Sequence, residues 1–90
     1  MSVLRLDPGA VQWREVQGEV IAVDLRNSRY LSVNRSGALL WPLLWRGTTI
    51  TELARVLMDR WSLDEPVAHR DADRLVGWLH DAGLLVTEGN

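Results

Sequence analysis

The sequence predicts an α+β domain in which a three-stranded antiparallel sheet is followed by three helices. Three observations carry that prediction. Between Val11 and Val33, β-branched and aromatic residues recur in short runs separated by turn residues. From Asn34 onward the apolar residues change to spacings of three and four, the period of a helix. Cap signals at Asn34 and at Thr49-Ile50-Thr51-Glu52 mark where helices begin.

Taken in order, Val11, Trp13 and Val16 form a first strand, Val20, Ile21, Val23 and Leu25 a second, and Tyr30, Leu31 and Val33 a third. Gln17-Gly18 closes one hairpin and Arg26-Asn27-Ser28 the next, because Gly and Asn tolerate the positive φ of tight connections. Asn34 caps a first helix whose apolar surface is Ala38, Leu39, Leu40, Trp41, Leu43 and Leu44, with a kink or early break expected at Pro42. Gly47 ends it. Thr49 and Glu52 are spaced to satisfy each other's backbone amides at the start of a second helix, which buries Ile50, Leu53, Ala54, Leu57 and Trp61. Asp64 or Ser62 caps a third helix, Pro66 fits its first turn, and Ala68, Ala72, Leu75, Val76 and Leu79 keep the helical period up to a left-handed cap at Gly83. Leu84, Leu85 and Val86 then pack back on the core or add a short strand.

Composition narrows the function classes. Ninety residues make one domain, 1–90, with a modest core and little room for a substrate cleft, so a self-contained enzyme is not expected. The absence of cysteine excludes a disulfide framework, a thiolate metal site and a cysteine nucleophile, and fits the cytoplasm. Met1 to Pro8 lacks the pattern of a signal peptide, and the longest apolar run, Ala38 to Trp45, is too short to cross a bilayer, so no membrane partner is expected. A net charge of -2 gives little attraction for phosphate backbones, so neither is a nucleic-acid partner. Ser28, Ser32, Ser36 and Ser62 have no nucleophile motif, His69 and His80 have no metal-ligand spacing, and no glycine-rich phosphate loop is present. No catalytic residue, metal or cofactor is expected.

The layout leaves the third strand at an edge, a row of unpaired amides and carbonyls to which a peptide can add as a further strand. The candidate segment is Arg29 to Val33. If Leu31 and Val33 point into the core, Tyr30 and Ser32 point away from it, and Tyr30 reads either as cover for the sheet or as a ligand contact. In the third helix Ala72, Leu75 and Leu79 form the core stripe, with Asp73, Val76 and His80 on one flank and Trp78 near the other; one flank walls a groove beside the edge strand. Gly77, costly inside a helix, either admits another backbone or is tolerated in helix packing. Of five tryptophans, Trp41 and Trp61 are expected in the core and Trp13, Trp45 and Trp78 nearer the surface.

Gly18 through Asp24, Arg29 through Trp41, Gly47 with Thr51-Glu52-Leu53, and Leu79 with Gly83-Leu84-Leu85 resemble the PqqD-like family, the precursor-peptide recognition elements. The resemblance covers nearly the whole chain. It implies a winged helix-turn-helix fold that binds, without catalysis, the leader segment of a ribosomally made precursor peptide. The leader pairs with the third strand and lies against the third helix. The strand role falls on Arg29, Tyr30, Leu31, Ser32 and Val33, and the helix role on Asp73, Val76, Gly77 and His80. Pro42 departs from the family's uninterrupted first helix. The implied partners are a radical maturation enzyme of quinone-cofactor assembly, or a leader peptidase or cyclase of lasso-peptide assembly, with the lasso type expected. Two rivals are a winged helix-turn-helix DNA-binding regulator and an oligomerisation module pairing its edge strand with its own copy. Against the regulator, the third helix mixes Asp71, Asp73 and Asp81 with Arg70 and Arg74, and the chain has no lysine.

Overall fold

The run from Val11 to Asp24 folds into a hairpin because Gln17 and Gly18 both take positive φ, 53° and 80°, the geometry of a two-residue turn whose twist matches its strands. In the computed structural model, which describes residues 2–89, that hairpin is β2 (Val11–Val16) and β3 (Glu19–Asp24). A second turn, with Ser28 at φ 53°, brings β4 (Arg29–Leu31) against β3. The sheet order is β2-β3-β4, as the sequence predicts, although β4 stops at Leu31, and Ser32 and Val33 lead on into the first helix outside any strand.

Helix α1 (Arg35–Arg46) starts where Asn34 accepts a hydrogen bond from the Gly37 N–H at 2.8 Å. Of the kink or early break expected at Pro42, the break does not occur: Pro42 lies inside this helix without ending it. Leu40, Trp41 and Leu44 on either side are fully buried, and anchoring both halves to the core offsets the one lost backbone bond. Helix α2 (Ile50–Trp61) is capped by Thr49, whose hydroxyl accepts from the Glu52 N–H at 3.1 Å. The reciprocal half of the expected capping box is replaced: the Glu52 carboxylate pairs with Arg55 one turn on. Helix α3 (Glu65–Asp81) opens with Pro66 in its first turn and closes at Gly83, φ 75°.

The chain ends supply elements that the strand-then-helix reading leaves out or leaves open. β1 (Ser2–Leu6) and β5 (Leu85–Gly89) pair antiparallel as a separate two-stranded sheet, with Leu6 opposite Leu85. Thr48, between α1 and α2, bridges to Leu4 through two backbone hydrogen bonds and joins this small sheet to the helices. Leu6, Val11, Ala22, Leu40, Trp41, Leu53, Leu57, Leu79 and Leu84 meet in one core with no exposure, so every element except β4 contributes a fully buried side chain or adjoins one. Trp61, expected in the core, is half-buried at its rim, where the Arg35 guanidinium lies 5.7 Å from the ring centre.

Candidate functional site

The phase of the hairpin fixes which backbone groups of β4 are free. In a two-residue hairpin the closing pair, here Val16 and Glu19, exchanges backbone hydrogen bonds, and bonded pairs then alternate with unbonded ones. Glu19, Ile21 and Val23 therefore direct their N–H and C=O groups to β2, and the Leu25 N–H donating to the Ala10 carbonyl at 2.8 Å keeps that phase. Val20, Ala22 and Asp24 turn theirs the other way. Since Ala22 pairs with Leu31 and Asp24 with Arg29, those two β4 residues are bonded inward, and the N–H and C=O of Tyr30 face the open edge. Ser32, one residue past β4, continues the alternation: Leu31 and Val33 pack against the core while Tyr30 and Ser32 are exposed, Tyr30 at 82%.

Beside this edge runs a trough. One part, about 490 Å³, is lined by Ser32, Val33, Asn34, Ser36 and Gly37 on one side and by Asp71, Arg74, Leu75 and Trp78 on the other. A second part, about 370 Å³, lies between Arg29, Tyr30, Leu31 and Ser32 and the α3 residues Trp78 and Ala82. Ser32 and Trp78 belong to both parts. At the trough's end Gly37 leaves room for Val33: a Cβ there would come within 2.9 Å of Val33 Cγ1.

The strand residues Arg29, Tyr30, Leu31, Ser32 and Val33 thus come together on one wall, as the sequence reading expects. On α3 the wall is the flank of Trp78. Asp71, Arg74, Leu75, Trp78 and Ala82 recur at intervals of three and four and form one stripe, whereas Asp73, Val76, Gly77 and His80 lie about 180° around the helix and line neither hollow. Asp73 and His80 point to solvent, Val76 packs on the core, and nothing lies within 4 Å of a Cβ placed on Gly77. The sequence carries a signal for the flank that lines the trough: Trp78 is a large aromatic outside the core stripe and one helical turn from Arg74 and Leu75.

A buried carboxylate holds the edge strand in place. Asp24, with no exposure, ends β3 and accepts hydrogen bonds from the N–H groups of Arg26 at 3.0 Å and Asn27 at 3.2 Å and from the Asn27 side-chain amide at 2.9 Å; the Arg29 guanidinium stands 3.5 Å away. The Asn27 amide, ahead of the backbone donors and Arg29, holds this carboxyl below its ordinary range against the opposing effect of burial. A larger hollow, about 790 Å³, lies along β2, the sheet's other edge, near Trp13, Ile21, Val23, Tyr30 and Trp45, but no residue of α3 walls it. Among the described residues no cluster of His, Asp or Glu is arranged to hold a metal ion, and no helix is long and apolar enough to cross a membrane.

Comparison with known proteins bears on both the fold and the trough. The family described as coenzyme PQQ synthesis protein D (PqqD) matches residues 19–85. TbiB1, solved in complex with the TbiA(beta) leader peptide, superposes with a TM-score of 0.81 at 26% identity, over 96% of this chain and 96% of that one. A lasso peptide synthetase B1 complexed with its leader peptide superposes at 0.78 and 24% identity, over 92% of this chain and 96% of that one, and so shares the fold. No curated protein matches the chain.

Proposed function

Because the chain belongs to the PqqD family, we propose that it binds the leader segment of a ribosomally synthesised precursor peptide, without itself catalysing a reaction, and presents it to modifying enzymes. The observation that carries this reading is the free edge at Tyr30, with Ser32 exposed just beyond it, facing a trough walled by α3. That the similar TbiB1 was solved with a leader peptide supports it.

An antiparallel leader strand exchanges backbone hydrogen bonds with Tyr30 and with Ser32. Side chains alternate along the added strand. Those opposite Tyr30 and Ser32 lie on the sheet's outer face, and the one between them, opposite Leu31, enters the trough toward Trp78 and Ala82. Main-chain pairing supplies affinity that depends little on sequence, and the trough supplies selection. Trp78, 40% exposed, offers the largest apolar surface on the helix wall. The partners of the loaded chain are a leader peptidase or cyclase of a lasso-peptide pathway, acting in the cytoplasm where ribosomal precursors are released.

The test is an anisotropy titration with fluorescently labelled leader segments of the short precursor genes lying beside this gene, run against a labelled DNA duplex at physiological salt. The expected result is saturable binding to one leader and none to the duplex; salt-sensitive duplex binding with no response to any leader would favour a DNA-binding regulator instead.

A further inference from the structure

The two walls of the trough belong to elements that scarcely touch: β4 packs on β3, and α3 packs on α2 and β5. Both walls rest on the common core through Leu31, Val33 and Leu75, and a second link joins them at one end. At the Ala82 end of the trough one side chain spans the gap. Arg26, in the β3–β4 turn, donates through Nη1 to the Gly83 carbonyl at the end of α3 and through Nη2 to Asp7 Oδ2, each at 3.1 Å.

Each attachment point is itself fixed. The Arg26 backbone N–H is bonded to buried Asp24. Asp7 accepts the Gly9 N–H on its other carboxylate oxygen at 2.9 Å, and its own N–H donates to the Leu84 carbonyl at 2.8 Å. Gly83, at positive φ, closes α3 through its N–H to the His80 carbonyl. One guanidinium thus joins the β1–β2, β3–β4 and α3–β5 turns. Its planar fork suits two acceptors held side by side.

From this geometry we infer that Arg26 is a positioning residue for leader capture: it clamps the end of α3 to the β3–β4 turn and so sets the width of the trough, without touching the peptide. The inference rests on the leader-binding reading above. Losing the clamp lets the Trp78 wall move relative to the edge at Tyr30 and Ser32, so the strand pairing and the side-chain contact are no longer made together.

The experiment measures Kd for wild type, Arg26→Ala, Arg26→Lys, Asp7→Asn, Trp78→Ala and the double variant Arg26→Ala/Trp78→Ala. The probes are labelled leader segments from neighbouring precursor genes and the TbiA(beta) leader peptide. Arg26→Ala is expected to weaken binding about five- to tenfold, the scale of a lost charge-assisted contact. Arg26→Lys and Asp7→Asn fall between it and wild type, since one acceptor at most remains well bonded. The decisive readout is coupling: in the Trp78→Ala background, Arg26→Ala should cost nothing further, because the wall it positions no longer touches the leader. Wild-type affinity in Arg26→Ala, or the same loss with and without Trp78, would overturn the inference. If Arg26→Ala does not fold, Arg26→Lys and Asp7→Asn, each combined with Trp78→Ala, decide by the same coupling. A wild-type chain that binds none of the probes overturns the leader reading itself, and the inference with it.

Discussion

Asp24 is where the chemistry of the edge strand concentrates. Its carboxylate is buried, charged and bonded to the turn that delivers β4, so protonating it loosens that turn. A carboxyl held below its ordinary value of 3.8 contributes stability that is fully present above that value and is lost as pH falls through the lowered one. Thermal unfolding followed from neutral pH downward should therefore show Asp24→Asn below wild type at neutral pH, with the gap closing in acid beneath 3.8. A constant gap at all pH values would mean that the charge of Asp24 is not what holds the turn. Residue-scale tests also separate the two flanks of α3. Trp78→Ala is expected to weaken leader binding about tenfold or more, as removal of a buried aromatic anchor does, while His80→Ala on the far side leaves it unchanged. The opposite ranking in a titration would return the site to the Asp73 and His80 flank. Ser32→Pro removes one outward donor and is expected to weaken binding about tenfold with the fold intact by circular dichroism.

At the scale of elements, what could be read from the sequence was local. The two β-turns, the Asn34 and Thr49 caps and the Gly83 stop each involve residues within a few positions of one another, and all appear at the expected positions, although the second turn takes its positive φ at Ser28 and not at Asn27. The break allowed for at Pro42 does not occur because the cost of a lost helical bond is a local quantity, whereas the burial of Leu40, Trp41 and Leu44 that offsets it depends on the rest of the fold. β1 went unassigned for a related reason: Ser2–Leu6 is a short run whose partner, β5, lies at the far end of the chain, and no local pattern encodes a pairing that distant. The trough wall shows the same division. The spacing of α3 placed its core stripe, but which flank meets β4 depends on how the helix rolls on the sheet, and only Trp78 hinted at it. The small β1–β5 sheet is structural in this account. Leu6→Ala, which empties a fully buried site, should lower unfolding free energy by about 2–5 kcal/mol in a denaturant titration; a loss below about 1 kcal/mol would show that the chain ends add little to the core.

As a whole molecule the chain offers an open sheet edge and a trough beside it, an arrangement that suits a protein holding a peptide for others to modify. Its fold superposes on that of TbiB1, solved with a leader peptide, over 96% of both chains, and in this chain β4 and α3 stand on either side of the trough. The central claim is that the leader becomes the next strand of the sheet, and amide hydrogen exchange measured by NMR tests it most directly. In the free protein the Arg29 and Leu31 amides, bonded to β3, should be protected, and those of Tyr30 and Ser32 should exchange rapidly. On saturation with leader peptide, Tyr30 and Ser32 should become protected while Arg29 and Leu31 stay so. A leader that binds tightly yet leaves the Tyr30 and Ser32 amides exchanging as before would contradict strand addition at this edge.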